Sequence, residues 1–283
     1  MSQTDSPLGT APVGKLVLQL AIPAMLAQFV NILYSVVDRM YVGHIAGAGD
    51  AALAGVGVCA PVVTMITAIG ALIGFGGGPL MSIRMGAGKR LDAHRILNNC
   101  FLMLCVCAVV ITAAIFPLRR VMLMAFGASD ATYGYANTYF SVYLTGTVFN
   151  LLALGLNQFI ICQGYARKGM ISVMLGAALN IVLDPVFIFA FNMGVRGAAL
   201  ATILSQAVSA VWVLKFLTGP KTKWRLRAVN LRPRAKVVLP SLALGMSPFI
   251  MQATESLITV CFNSSLLKYG GDIAVGAMTV LSS

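Results

Sequence analysis

Charge is what this sequence lacks most. Only 10% of its 283 residues are charged and eight are acidic, while 59% are hydrophobic. Soluble domains carry about a quarter charged residues, so a water-soluble globular domain is excluded and an integral membrane protein is indicated. Histidine is nearly absent: the two, His44 and His94, both fall near expected loops. That removes zinc-protease motifs and any catalytic triad built on a buried histidine. The six cysteines form no CxxC pair and no cluster with histidine at metal-ligand spacing, so they read as small apolar packing residues rather than disulfides or metal ligands. The apolar runs do not alternate with polar residues, which argues against a membrane β-barrel.

What is there is a series of apolar runs, each long enough to cross a bilayer, for which about 20 residues suffice. Spans are expected at residues 16–43, 52–83, 97–118, 132–162, 169–192, 194–218 and 237–266, with an eighth starting near 273. The fold class is therefore an all-α polytopic membrane protein. The net charge of +12 would suggest nucleic acid in a soluble protein. Here the basic residues lie mostly in short loops between apolar runs, so they read as topology signals and no nucleic-acid partner is expected. With the N-terminus placed inside, fifteen Lys and Arg fall on that side; Arg119, Arg120, Arg196 and Lys268 fall on the other, and Arg39 lies within a span. That asymmetry predicts a cytoplasmic N-terminus. Residues 1–14 form a polar tail without a basic n-region, so no cleaved signal is expected.

The basic stretch "TGPKTKWRLRAVNLRPRAK" separates spans six and seven and reads as a cytoplasmic linker lying at the lipid headgroups. It divides the chain into the tail 1–14, a six-helix lobe 15–218, the linker 219–235 and the start of a second lobe, 236–283. The second part echoes the first. Pro23 to Asp38 spans the same 15 residues as Pro248 to Asn263, and "GDAALAGVGV" from Gly49 parallels "GDIAVGAMTV" from Gly271. Six spans before the linker suit a repeat whose units are related by an axis along the membrane normal.

Five acids fall in the tail or in loops; Asp38, Asp184 and Glu255 fall within spans. An ionised acid in mid-membrane costs at least a few kcal/mol, so such residues face a cavity or a partner. The richest stretch is "LNIVLDPVFIFAFNMGVRGAALATILSQ", residues 179–206. Asn180 and Asp184 are four apart and share one helix face. Pro185 supplies no N–H and clashes with the carbonyl of Ile181, freeing a backbone acceptor beside the acid. Amide, carboxylate and carbonyl oxygens are what a small hard cation binds, and the same groups would hydrogen-bond a protonated Asp184. Thr202 on the next span adds a hydroxyl if the two helices pack antiparallel through the small residues of "GVRGAALAT". The pattern suits exchange of H⁺ or Na⁺, and equally a kinked structural helix. Two motifs are decoys. "GAGD" at 47–50 has the form found in intramembrane aspartyl proteases, but its Asp lies in an expected loop and is read as capping a helix start. "GFGGGP" at 74–79 lacks the strand–helix context of a dinucleotide fingerprint and is read as close helix packing.

Together, "NIVLDPVFIFAFNMGVRGAALATILSQ", "VVDRMYVGHI", "GGGPLMSIRMGAGKRLDAHRILNN" and "NQFIICQGYARKGM" resemble the multidrug and toxic compound extrusion (MATE) family, from about residue 15 onward. The likeness is strongest to the branch named after DNA-damage-inducible protein F. It implies two six-helix lobes around a central cavity, no catalytic residue and no cofactor, and export of small organic, often cationic or amphiphilic, compounds in exchange for H⁺ or Na⁺. It implies that Asp38, Asn180, Asp184 and Thr202 bind the coupling cation, with Tyr139 in their network. Pro23 and Pro185 are then the places where the first lobe bends. Glu255 sits ten residues after Gly245, as an acid does in another branch, where it contributes to a second-lobe cation site. The expected location is the plasma membrane, in a bacterium the inner membrane, with the lipid bilayer as surroundings and no obligate protein partner. Family members have about twelve spans. This chain supplies seven and a fraction, so a truncated sequence unable to transport alone is expected. The rival readings are a lipid-linked oligosaccharide flippase of the same superfamily, a membrane aspartyl protease and a non-transporting scaffold.

Overall fold

A computed structural model describes residues 12–45, 47, 49–220, 222, 224–226 and 235–282. The tail before Pro12 and most of the basic linker lie outside the described residues. The described chain is helical throughout: α1 Val13–Gly43, α2 Gly49–Gly86, α3 Arg90–Ala125, α4 Asp130–Thr145, α5 Thr147–Cys162, α6 Ala166–Pro185, a π-helical turn Val186–Ala190, α7 Val195–Thr218 and α8 Ala235–Leu281. Six of these helices are long and apolar enough to cross a membrane, or seven if the bent pair α4–α5 is one span.

Local chemistry sets the ends. Ser129 caps α4: its Oγ accepts from the Thr132 N–H, while the Thr132 Oγ1 accepts from the Ser129 N–H, a reciprocal capping box. The expected fourth span, 132–162, is not one straight helix. It bends by 57° between α4 and α5, at Gly146. A side chain there would collide with Ile203 of α7, so α7 packs directly against the bend. Asp50 lies in the first turn of α2, one residue inside the helix rather than at its cap. All six cysteines are free and lie within helices.

α2 is the hub. Its core residues Val58, Val62, Ile66 and Ile73 are buried, as are Phe140 and Leu144 of α4 and Leu151, Leu156 and Phe159 of α5. On its other side α2 meets α8 backbone to backbone. A Cβ on Gly76 would strike the carbonyl oxygen of Ser241, and one on Gly245 would strike that of Leu72. Only glycine permits that approach, the device by which membrane helices gain van der Waals contact without a hydrophobic driving force. The contact runs the length of α8: Ser256 Oγ donates to the Pro61 carbonyl at 2.8 Å, and Asn263 Nδ2 donates to the Gly57 carbonyl at 3.4 Å.

α8 then reverses. Gly271 has φ 66° and ψ −168°, a conformation open to glycine but strained for other residues. Thr279 also lies beside Gly57, although 16 residues of straight helix would carry it about 24 Å beyond Asn263. Residues 272–281 thus form the first turns of the expected eighth span. The Gly-Asp pairs at 49–50 and 271–272 occupy equivalent starts, with Gly276 packed near the backbone of Asp50 and Ala54.

The loop ends sort onto two faces. At one, the turn at Ser129 meets Asp272, with Ser129 Oγ donating to Asp272 Oδ2 at 3.0 Å. At the other, the described part of the linker docks on the first lobe. Thr222 Oγ1 donates to Gln163 Oε1 at 2.6 Å, Leu226 N–H donates to the Leu217 carbonyl at 2.9 Å, and the Trp224 ring sits edge-on to His94 at 5.1 Å.

Candidate cation site and the family of the chain

The acids converge because α1 lies along α6. Tyr41 of α1 meets Phe189 of the π turn edge-on, ring centroids 6.2 Å apart. Tyr41 lies three residues after Asp38 and Phe189 five after Asp184, so α1 and α6 run side by side in a register that places the two carboxyl groups within electrostatic range of each other. Pro185 closes α6, and the helix widens immediately after it: Phe191 N–H reaches back five residues to the Val186 carbonyl at 2.9 Å. Removing one backbone donor loosens the ladder at the acid, and π turns of this kind recur at functional positions.

Asn180 ties the cluster together. Its Nδ2 donates to Asp184 Oδ1 at 3.2 Å and lies 3.4 Å from Thr202 Oγ1, and Thr202 in turn donates to the Ala198 carbonyl at 3.0 Å. Asp184 is wholly buried, Asn180 and Thr202 nearly so, and Asp38 is half-buried. Three buried oxygens nevertheless have no hydrogen-bond partner: Asp38 Oδ1, Asp184 Oδ2 and Asn180 Oδ1. All three are acceptors. Two facing carboxylates in a poorly hydrated site repel unless a proton or cation lies between them, and buried oxygens without a donor are the ligands a hard cation or a shared proton satisfies.

Tyr139 is buried in α4, its ring stacked on Tyr143 with centroids 6.1 Å apart, and it lies within electrostatic range of Asp38. Tyr34 of α1, which the sequence reading passed over, lies within range of both Asp38 and Asp184. The signal was present: Tyr34 precedes Asp38 by four residues and shares its helix face. Arg39 is within electrostatic range of Asp38, and its Nη1 reaches across to α8. There it donates to the Thr279 carbonyl and lies 3.4 Å from Ser282 Oγ, binding α1 to the start of the eighth span. Glu255 is exposed on α8, on the turn beside Ser256, which faces α2; the structure does not bring it to the first-lobe acids. α1 runs unbroken through Pro23.

Beside the cluster lies a partly open cavity of about 310 Å³ lined by α1, α2 and α4–α7; Tyr34, Asn150, Asn157, Asn180, Thr202 and Gln206 are among its walls. Asn150 Nδ2 donates to the Tyr143 hydroxyl at 2.8 Å on that wall. Among the described residues, no basic side chain lines it.

Residues 23–186, more than half of the chain, match the MatE family model. The chain belongs to the MATE family. Among relatives of this MATE chain is the multidrug export protein MepA of Staphylococcus haemolyticus (strain JCSC1435), 22% identical over 90% of this chain and 56% of that protein. MepA of Staphylococcus aureus (strain NCTC 8325 / PS 47) is 23% identical over 92% and 57%. In structure the chain is similar to the MATE multidrug transporter DinF-BH, solved in a ligand complex, with a TM-score of 0.92 and 33% identity over 99% of this chain and 63% of that one. It is also similar to a transporter of the MOP superfamily from Pyrococcus furiosus, with a TM-score of 0.86 and 27% identity over 99% and 61%. The chain thus spans about 56–63% of these relatives. The relatives named are export proteins and transporters, not enzymes, and this MATE chain is a multi-pass membrane protein.

Proposed function

We propose that the chain provides the cation-coupled lobe of a secondary antiporter that exports small organic compounds, cationic or amphiphilic, in exchange for H⁺ or Na⁺. The carrying observation is the set of three unpartnered buried oxygens on Asp38, Asp184 and Asn180. The names of the relatives, as multidrug export proteins and transporters, support the substrate class. The location that goes with this reading is the plasma membrane, the inner membrane of a bacterium, with the N-terminus and basic linker in the cytoplasm. No cofactor takes part; the coupling cation is cargo.

In this mechanism the outward-open state loads H⁺ or Na⁺ between Asp38 and Asp184, with Asn180 and Thr202 supplying oxygens and Tyr139 and Tyr34 shaping the surrounding field. Neutralising the pair lets α1 and α6 close together, with Pro23 and Pro185 as the bending points, and expels substrate. The inward-open state returns the cation and reloads substrate. A ligand shifts such an equilibrium only through different affinity for the two states, so the pair must change surroundings between them. Inward movement of one charge contributes about 2.3 kcal/mol per 100 mV. A lipid-pyrophosphate flippase would instead need guanidinium groups around its substrate, which the described cavity wall lacks.

The test is Asp38→Asn in a full-length relative carrying the equivalent acid. Export should vanish while the protein accumulates normally in the membrane; undiminished export would refute the assignment. Efflux with and without a Na⁺ gradient then separates the two cations.

A further inference from the structure

We propose that the first part of the basic linker is a strap that fastens the inner ends of α3, α5 and α7 to one another, with Gln163 as its anchoring residue, so that the first lobe ends as a mechanical unit at Leu226 and not at the end of α7. Composition alone placed this stretch at the lipid headgroups. The inference does not depend on the antiport reading.

The local backbone builds the anchor. α5 ends in a Schellman turn: Gly164 N–H donates to the Ile161 carbonyl at 2.9 Å and Tyr165 N–H to the Ile160 carbonyl at 3.2 Å, with Gly164 at φ 90°. Gln163 caps that turn and is half-buried. Its side chain folds back on its own helix, Nε2 donating to the Phe159 carbonyl at 3.0 Å. The rest of its amide addresses the linker. Oε1 accepts from Thr222 Oγ1 at 2.6 Å and from the Trp224 N–H at 3.3 Å, and Nε2 lies 3.5 Å from the Trp224 carbonyl. One side-chain amide thus serves both polar groups of the Trp224 backbone, where the described chain is neither helix nor strand and has no ladder of its own to satisfy them.

Further contacts close the strap. His94, near the start of α3, lies 3.2 Å from the Arg225 carbonyl through Nδ1; a carbonyl only accepts, so that nitrogen carries the proton. The Trp224 ring stands edge-on to the same imidazole. Leu226 N–H donates to the carbonyl of Leu217, a wholly buried residue in the last turn of α7. Thr222 is 3% exposed, and Trp224 and Leu226 pack on the hydrophobic core. None of these contacts is an ion pair. A linker held by phosphate headgroups would depend on its cations and let go in salt; this one is held by neutral amide, hydroxyl and indole groups. It joins residues 131 positions apart in the chain, so movement of a second lobe is taken up beyond Leu226 and not by peeling the linker from α7.

The experiment is hydrogen–deuterium exchange with mass spectrometry on the chain in a neutral maltoside detergent, where no anionic headgroup is present. The amides of Trp224 and Leu226 should exchange at least about tenfold more slowly in the parent than in Gln163→Ala, because local opening sets the rate. They should stay slow in about 1 M NaCl. The start of α3, residues 90–94, should exchange about threefold faster in Gln163→Ala, since its contact with the linker is lost. The α4 cap, residues 129–132, on the opposite face, should not change. Linker amides as fast in the parent as in Gln163→Ala, or protection lost in salt, would overturn the strap; so would an α3 start indifferent to the substitution. Trp224→Ala, a change in the linker alone, repeats both comparisons should Gln163→Ala not fold. Export by Asp38→Asn bears on the antiport reading alone.

Discussion

Asn180 holds two partners at once, so its loss would be felt first at Asp184 and Thr202. Asn180→Ala should lower stability by about 1 kcal/mol, in the upper part of the range for interhelical hydrogen bonds in membranes, seen as a lower thermal midpoint in detergent. Thr202→Val removes one contact and should cost less; equal losses would mean that Asn180 acts through packing alone. At this scale much of the site was legible, because a carboxylate or amide in a lipid-spanning run is expensive and therefore stands out. Tyr34 was not, since a tyrosine among apolar residues looks like packing and only its spacing from Asp38 betrays it. Glu255 shows the limit of the argument. The same cost flags it, though less sharply than Asp38, yet cost does not say which neighbour a helix face will find, and Glu255 lies exposed on α8.

Among the elements, the tightest constraint is the backbone contact of α2 with α8 at Gly76 and Gly245. Gly76→Val should force the helices apart and destabilise the bundle by about 1–3 kcal/mol or more, the cost of overpacking. Ala on the exposed Gly86, where a Cβ meets nothing, should leave the thermal midpoint unchanged. The number and order of helices were readable from run length. The bend at Gly146 was not, because the residue it packs against, Ile203, lies more than fifty positions away. The π turn falls between these cases: Pro185 announces a disturbed ladder, but not the wider turn that follows it, across which the Phe187 and Phe191 rings stack 5.8 Å apart.

For the whole molecule, topology is the property most exposed to test. The basic linker should be cut by trypsin only in inside-out vesicles, never in intact cells; cleavage from outside would invert every assignment of face. The repeat was legible only as thin spacing, yet the Gly-Asp pairs at 49–50 and 271–272 open adjacent helices. What sequence could not convey was that the second part of the chain is built onto α2, since contacts between residues 195 and 206 positions apart leave no local periodicity to read.

That long-range docking also imposes a timetable on synthesis. α2 enters the membrane early, but the helix that covers its glycine face is translated only after the other first-lobe spans and the linker. Until α8 arrives, lipid tails must fill a furrow shaped for another backbone. A ribosome paused in the linker would therefore hold a nascent bundle whose hub is still without its partner, open to capture by chaperones of the insertion machinery or by the wrong helix.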